Sequence, residues 1–142
     1  MLQNRFKKIL VALDGSIPSR RGMNEAVSLA RQSNGSITGI HILPDIYIGR
    51  AVTFAYRKIL SKKSKKFIWE GKILAARHGI EFEGKVLTSN DIVNTITNFA
   101  KSNKFDIIVI GARGQSSPKT QFLGSVSNGI LSSSNLPVLV VR

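Results

Sequence analysis

Phe105-Asp106-Ile107-Ile108-Val109-Ile110-Gly111-Ala112-Arg113-Gly114, then nine residues, then Gly124-Ser125-Val126-Ser127-Asn128-Gly129-Ile130-Leu131 decides how this chain is read. The apolar run up to Ile110 has the length and composition of a strand buried on both faces. Gly111 ends it, and a helical pattern opens at Ser125. A buried strand therefore enters a glycine-bounded loop, and the loop enters a helix N-terminus. Free backbone N–H groups and the positive end of a helix dipole meet there, an arrangement that attracts anions.

Working outward, the same alternation fills the chain. Apolar runs at Ile9–Leu13, Ile37–Leu43, Phe82–Leu87, Ile107–Ile110 and Val138–Val141 alternate with helical patterns over Ser19–Ser33, Ala51–His78, Asn90–Ser102 and Ser125–Ser133. Asn34-Gly35 and His78-Gly79 stand where helices stop. Pro137 precedes the last run, where a missing N–H is tolerated. Strand–helix alternation predicts an α/β fold: an open, mostly parallel sheet with helices on both faces, a three-layer sandwich. No repeat, linker or low-complexity tail divides the 142 residues.

Composition narrows the function classes. The chain has no cysteine, which excludes a disulfide framework and a zinc–thiolate site. No apolar run approaches the roughly 20 residues of a membrane span, and Met1–Leu13 reads as a first strand rather than a signal segment. The expectation is a cytoplasmic protein. With 21 basic against 8 acidic side chains the formal net charge is +13, which favours anionic partners.

Much of that charge is local. Residues 50–78 hold nine basic side chains and one acidic, Glu70. At helical spacing Tyr56, Leu60, Phe67, Gly71 and Leu74 form one stripe and should face the core. Lys62, Lys65, Lys66, Trp69, Lys72 and Ile73 lie opposite. That second face is either solvated or a docking surface for nucleic acid or an acidic partner.

Lys8-Ile9-Leu10-Val11-Ala12-Leu13-Asp14-Gly15-Ser16, Ile40-His41-Ile42, Asp106–Gly111 and Pro137–Val141, taken with the spacing G-x2-G-x9-G-[ST] at Gly111, Gly114, Gly124 and Ser125, resemble the universal stress protein family along the whole chain. The resemblance implies one such domain over residues 1–142, five parallel strands, ATP or another adenine nucleotide at the C-terminal edge of the sheet, with Mg or Mn accompanying it, and a homodimer through Val138–Val141. It implies a signalling or regulatory role in the stress response. Two features depart from the family pattern. The turn before the third helix reads Leu87-Thr88-Ser89-Asn90-Asp91, where Ser89 or Asn90 would cap the helix, and the chain is strongly basic.

The candidate cofactor-binding residues follow. Gly111 and Gly114 let the backbone approach phosphate without a Cβ clash. Gly124, Ser125, Val126 and Ser127 form the helix start, and the Ser125 hydroxyl can add a hydrogen bond. Arg113 and Lys119 can neutralise phosphate charge. The resemblance places Asp14 near the ribose or a divalent cation, Ile42 against adenine, and Ala12 and Leu13 beside them. His41 reads as structural, and His78 as a cation at a helix C-terminus.

The spacing is not a P-loop: Arg113 and Pro118 occupy the glycine positions that G-x4-G-K-[ST] requires before Lys119-Thr120. No GxGxxG follows the first strand. No catalytic constellation is visible, so slow ATP hydrolysis is the most that enzymatic chemistry would amount to.

Overall fold

The computed structural model describes residues 5–115, 118 and 122–142. In chain order the elements are β1 (Lys8–Ala12), α1 (Ile17–Ser33), β2 (Ser36–Leu43), α2 (Arg50–Arg77), β3 (Phe82–Thr88), α3 (Ile92–Ser102), β4 (Ile107–Gly111), α4 (Ser125–Ser133) and β5 (Val138–Val141). The strands form one parallel sheet in the order β3-β2-β1-β4-β5. The chain builds outward from β1 to one edge, then returns to lay β4 on the other side of β1. Val11 stands in register with Gly39 on β2 and Val109 on β4. At such a reversal the two flanking connections diverge and leave a crevice at the C-terminal strand ends.

Alternating side chains divide the core into two layers. Ile9, Val11, Leu13, Ile107 and Val109 pack with Met23, Val27 and Ala30 of α1 and with Ala75 of α2. Leu10, Ile40, Ile42, Ile108 and Ile110 pack with Ile96 and Ala100 of α3 and Ile130 of α4. Central strand β4 is buried throughout, and β1 is buried over Ile9, Leu10 and Val11. Edge strands β3 and β5 are not: β5 is half-buried throughout, and β3 exposes Glu83, Gly84, Val86 and Thr88. The apolar runs at 82–87 and 138–141 thus mark edges covered unevenly rather than fully buried strands.

Caps set the helix limits. α1 starts two residues before the sequence pattern does, because Ser16 Oγ accepts the Ser19 N–H at 3.2 Å and Pro18 sits in the first turn. Its C-cap Asn34 adopts the left-handed conformation, φ 56°. α3 is capped by Asp91, whose Oδ1 accepts the Asn94 N–H at 3.1 Å, not by Ser89 or Asn90. Ser89 Oγ is occupied with the Asp91 N–H, and Asn90 makes a two-bond bridge to the Asp45 backbone.

α2 corrects one expectation. Gly71 is buried, and Leu60, Phe67 and Leu74 are half-buried, but Tyr56 faces solvent. The inward line of the helix runs through Thr53, Leu60, Ser64, Gly71 and Ala75, and Tyr56 lies about 60° round the axis from Thr53. Ser64 is tolerated inside because its hydroxyl donates to Leu60 O at 3.0 Å. Among the described residues no helix is long and apolar enough to cross a membrane.

Candidate functional site

The crevice beside β1 is a cavity of about 200 Å³, lined from the ends of β1, β2 and β4 and the starts of α3 and α4. All eleven candidate cofactor-binding residues with described positions, from Ala12 to Ser127, line it. Lys119 lies outside the described residues. The strand order sorts the walls. The β2 side carries Ile40 and Ile42, completed by Ile92 and Ile96 one turn apart on α3. The β4 side carries Gly111, Arg113, Gly114 and Gln115, with Gly124–Ser127 opening α4. Asp14 stands between them at the end of β1.

Asp14 is a fastener between these elements. Its Oδ1 accepts the Ser16 N–H at 2.9 Å, and its Oδ2 accepts the Gln115 N–H at 3.2 Å across 101 residues of sequence. Gln115 Nε2 answers by donating to Asp14 O at 3.2 Å, and the Asp14 N–H donates to Ser19 Oγ at 3.1 Å. Both carboxylate oxygens are thus engaged by backbone donors. Among the described residues no group of three or more His, Cys, Asp or Glu could hold a metal ion. Asp14 is the one carboxylate among the described residues that line the cavity.

The glycines divide into two kinds. A Cβ on Gly111 would lie 2.8 Å from the backbone carbon of Pro18 and the nitrogen of Ser19. Its missing side chain admits the first turn of α1, so packing by itself already requires a glycine at the first position of the motif. Among the described residues, a Cβ on Gly114 would meet Asp14 Oδ2, at 2.9 Å, the end of a side chain. Gly114 lines the cavity beside that carboxylate.

The start of α4 is the polar end of the cavity. Gly124 is its N-cap, supplies no side-chain acceptor, and no acidic residue sits in the first turn. α1 and α3 have side-chain caps from Ser16 and Asp91. Among the described residues no side chain caps this helix start, and its first-turn N–H groups carry the positive end of the helix dipole where the helix meets the cavity. Ser125 is exposed there, whereas Ser127 is buried and its hydroxyl donates to Ala112 O at 2.7 Å. Gly124 N–H donates to that same carbonyl. Ser127 thus lines the cavity while tying α4 to the end of β4.

His41 also lines the cavity. Its Nδ1 lies 2.6 Å from Leu13 O, so Nδ1 carries the hydrogen, and the ring meets Phe67 edge-on at 5.3 Å. The Leu13 side chain packs into the α1–α2 layer, where would-be Cβ atoms of Gly39 and Gly71 approach its Cδ1 at 2.8 and 3.1 Å. Gln115, Ser16 and Ser19 join the site without a signal in the glycine spacing. Ile92 and Ile96 fall within the helical pattern over Asn90–Ser102, and nothing in the glycine spacing marks them.

Comparison with known proteins agrees with this layout. The model of the universal stress protein family matches residues 5–142. The universal stress protein YxiE of Bacillus subtilis is 30% identical over 148 residues, covering 96% of this chain and 99% of its own length. Among solved structures, universal stress protein UspA from Lactobacillus plantarum superposes with a TM-score of 0.85 at 22% identity, covering 97% of this chain and 99% of the other. The universal stress protein from Archaeoglobus fulgidus in complex with dAMP gives 0.73 at 22% identity, over 97% and 99%. A family member from Arabidopsis thaliana with AMP bound gives 0.70 at 18%, over 95% and 90%. A match along nearly the full chain, on the fold that the strand order independently describes, means that this protein belongs to the universal stress protein family.

Proposed function

We propose that the cavity beside β1 binds an adenine nucleotide, with ATP as the first candidate, and that the protein works as a nucleotide-dependent regulatory module in a stress response. The observation that carries this is the uncapped start of α4, which faces the same cavity whose other wall is Ile40, Ile42, Ile92 and Ile96. An apolar wall suits a base, and an uncapped helix N-terminus suits a phosphate. The ligands of the structurally similar proteins, dAMP and AMP, share an adenine and a phosphate and support this division.

In this reading Ile42 and Ala12 flank the base, and Asp14 stands at the ribose. Gly114 and the N–H groups of Gly124, Ser125, Val126 and Ser127 receive the phosphates, with Arg113 beside them. Mg or Mn would accompany the nucleotide and neutralise phosphate charge, with Asp14 as the carboxylate that could hold it in place of a ribose contact. Binding is favoured over turnover because the carboxylate and the imidazole that line the cavity, Asp14 and His41, are both held by backbone partners. Slow hydrolysis stands as the second activity to measure. The functional unit is proposed to be a dimer paired through β5.

Calorimetric titration with Mg-ATP and Mg-AMP tests the proposal. Saturation near one nucleotide per chain is expected, weakened in Gly114→Ala and Ser125→Ala. Absence of heat and of thermal stabilisation at millimolar nucleotide would refute it.

A further inference from the structure

α2 begins well outside the protein. Of residues 50–59 only Thr53 is buried. Thr53 holds the segment by accepting the Ile48 N–H on its Oγ1 at 2.7 Å and donating its own N–H to Gly49 O at 2.8 Å. Around this single anchor Val52, Phe54 and Ile59 are exposed, and Tyr47, in the connection before the helix, is 78% exposed.

These side chains are ordered along the helix. Val52, Ala55 and Ile59 fall at i, i+3 and i+7 on one outward stripe. Lys62 and Lys66 extend that stripe at the same spacing, and exposed Trp69 follows, with Lys72 Nζ 5.8 Å from its ring centroid. The stripe runs from aliphatic to cationic to aromatic without turning inward. Among the described residues the ion pairs made by α2 are Arg57–Asp45 at 3.1 Å and Arg20–Glu70 at 3.4 Å, so the local excess of positive charge is not cancelled by the fold.

We propose that this outward face of α2 docks the protein on an anionic lipid surface. The charge requires an anionic occupant, and nine basic side chains against one acidic in residues 50–78 oppose a second copy of the same face. Aliphatic groups decide among anionic occupants. Val52 and Ile59 gain nothing from a phosphodiester backbone and have no π-face for a base. At a bilayer they enter the headgroup–acyl boundary, lysines reach lipid phosphates, and Tyr47 and Trp69 suit the interface. The inference does not depend on the nucleotide site.

Trp69 is the only tryptophan, so its emission reports directly on this face. The full chain is mixed with phosphatidylglycerol-containing vesicles and with pure phosphatidylcholine vesicles, and co-sedimentation and Trp69 emission are recorded together. Binding to the anionic vesicles with a blue shift, and none to the neutral ones, is expected. Lys62→Gln/Lys66→Gln should weaken partitioning about 25-fold, each basic residue near such a surface being worth a factor of about five. Val52→Ser/Ile59→Ser should weaken it about tenfold through lost apolar burial. All four positions are exposed, and circular dichroism checks that the fold persists. No partitioning, or partitioning unchanged in Val52→Ser/Ile59→Ser, overturns the proposal. So does binding to a DNA duplex or to polyglutamate where the vesicles do not bind.

Discussion

The Asp14 carboxylate at the end of β1 accepts the backbone N–H of Gln115 in the loop after β4 at 3.2 Å, while its other oxygen holds Ser16 N–H at 2.9 Å. One side chain thereby joins the start of α1 to the glycine loop. Asp14→Asn preserves an acceptor for Ser16 but can turn its amide N–H₂ toward Gln115, which then has no acceptor. The expected cost is about 1 kcal/mol for this half-buried group, read by urea unfolding, with faster amide exchange at Gln115. Asp14→Ala removes both bonds and should cost about 2 kcal/mol. Wild-type stability together with unchanged exchange at Gln115 would show that the loop is held by other contacts.

Gly111 and Gly114 should separate stability from binding. Gly111→Ala drives a methyl group to 2.8 Å from the Pro18 and Ser19 backbone, so α1 must shift away from β4. Overpacking of this kind costs about 1–3 kcal/mol. Gly114→Ala pushes on the Asp14 Oδ2 that holds Gln115 N–H and should cost less, no more than about 1 kcal/mol. Its nucleotide affinity should nonetheless fall about tenfold, the loss of one good hydrogen bond to charge. Equal melting curves for the two variants would contradict the packing role of Gly111.

The two serines at the start of α4 differ in the same way. Ser127 is buried and donates to Ala112 O at 2.7 Å, so Ser127→Ala should destabilise by about 1 kcal/mol. Ser125 is exposed at the cavity mouth, and Ser125→Ala should leave unfolding unchanged while weakening nucleotide binding. Paired unfolding and calorimetry on both variants check this. Destabilisation by Ser125→Ala would mean that its hydroxyl serves the fold.

The sheet and the place of the cavity were legible because they depend on periodicity and punctuation. Continuous apolar runs mark β1 and β4, and the glycine spacing puts a loop between β4 and α4. The roles of individual residues were less legible, since they depend on which elements touch. Gly111 carries the motif, yet its reason is α1, nearly a hundred residues earlier in sequence. Gln115 sits in the spacer between glycines, where no spacing rule points to it. Tyr56 has helical spacing for the core but lies off the line through Thr53 and Gly71, because that line is set by where α2 meets β2 and β3. The caps of α1 and α3 came from Ser16 and Asp91, each a choice among adjacent polar residues that only backbone geometry resolves.

β5 bears on assembly. The carbonyls of Pro137 and Val141 face β4, accepting from Ile108 N–H at 3.0 Å and Ala112 N–H at 2.6 Å. Alternation along the strand turns the N–H and C=O groups of Val138 and Val140 to the open edge. An edge of four aliphatic residues with outward donors and acceptors is a template for another strand. Sedimentation at micromolar concentration should therefore show a dimer. Val140→Pro removes an outward N–H and leaves the bonds to β4 in place, the one strand setting that accepts proline. It should yield a folded monomer that retains nucleotide binding. A wild-type monomer refutes pairing through β5, and a Val140→Pro dimer moves the interface to another surface.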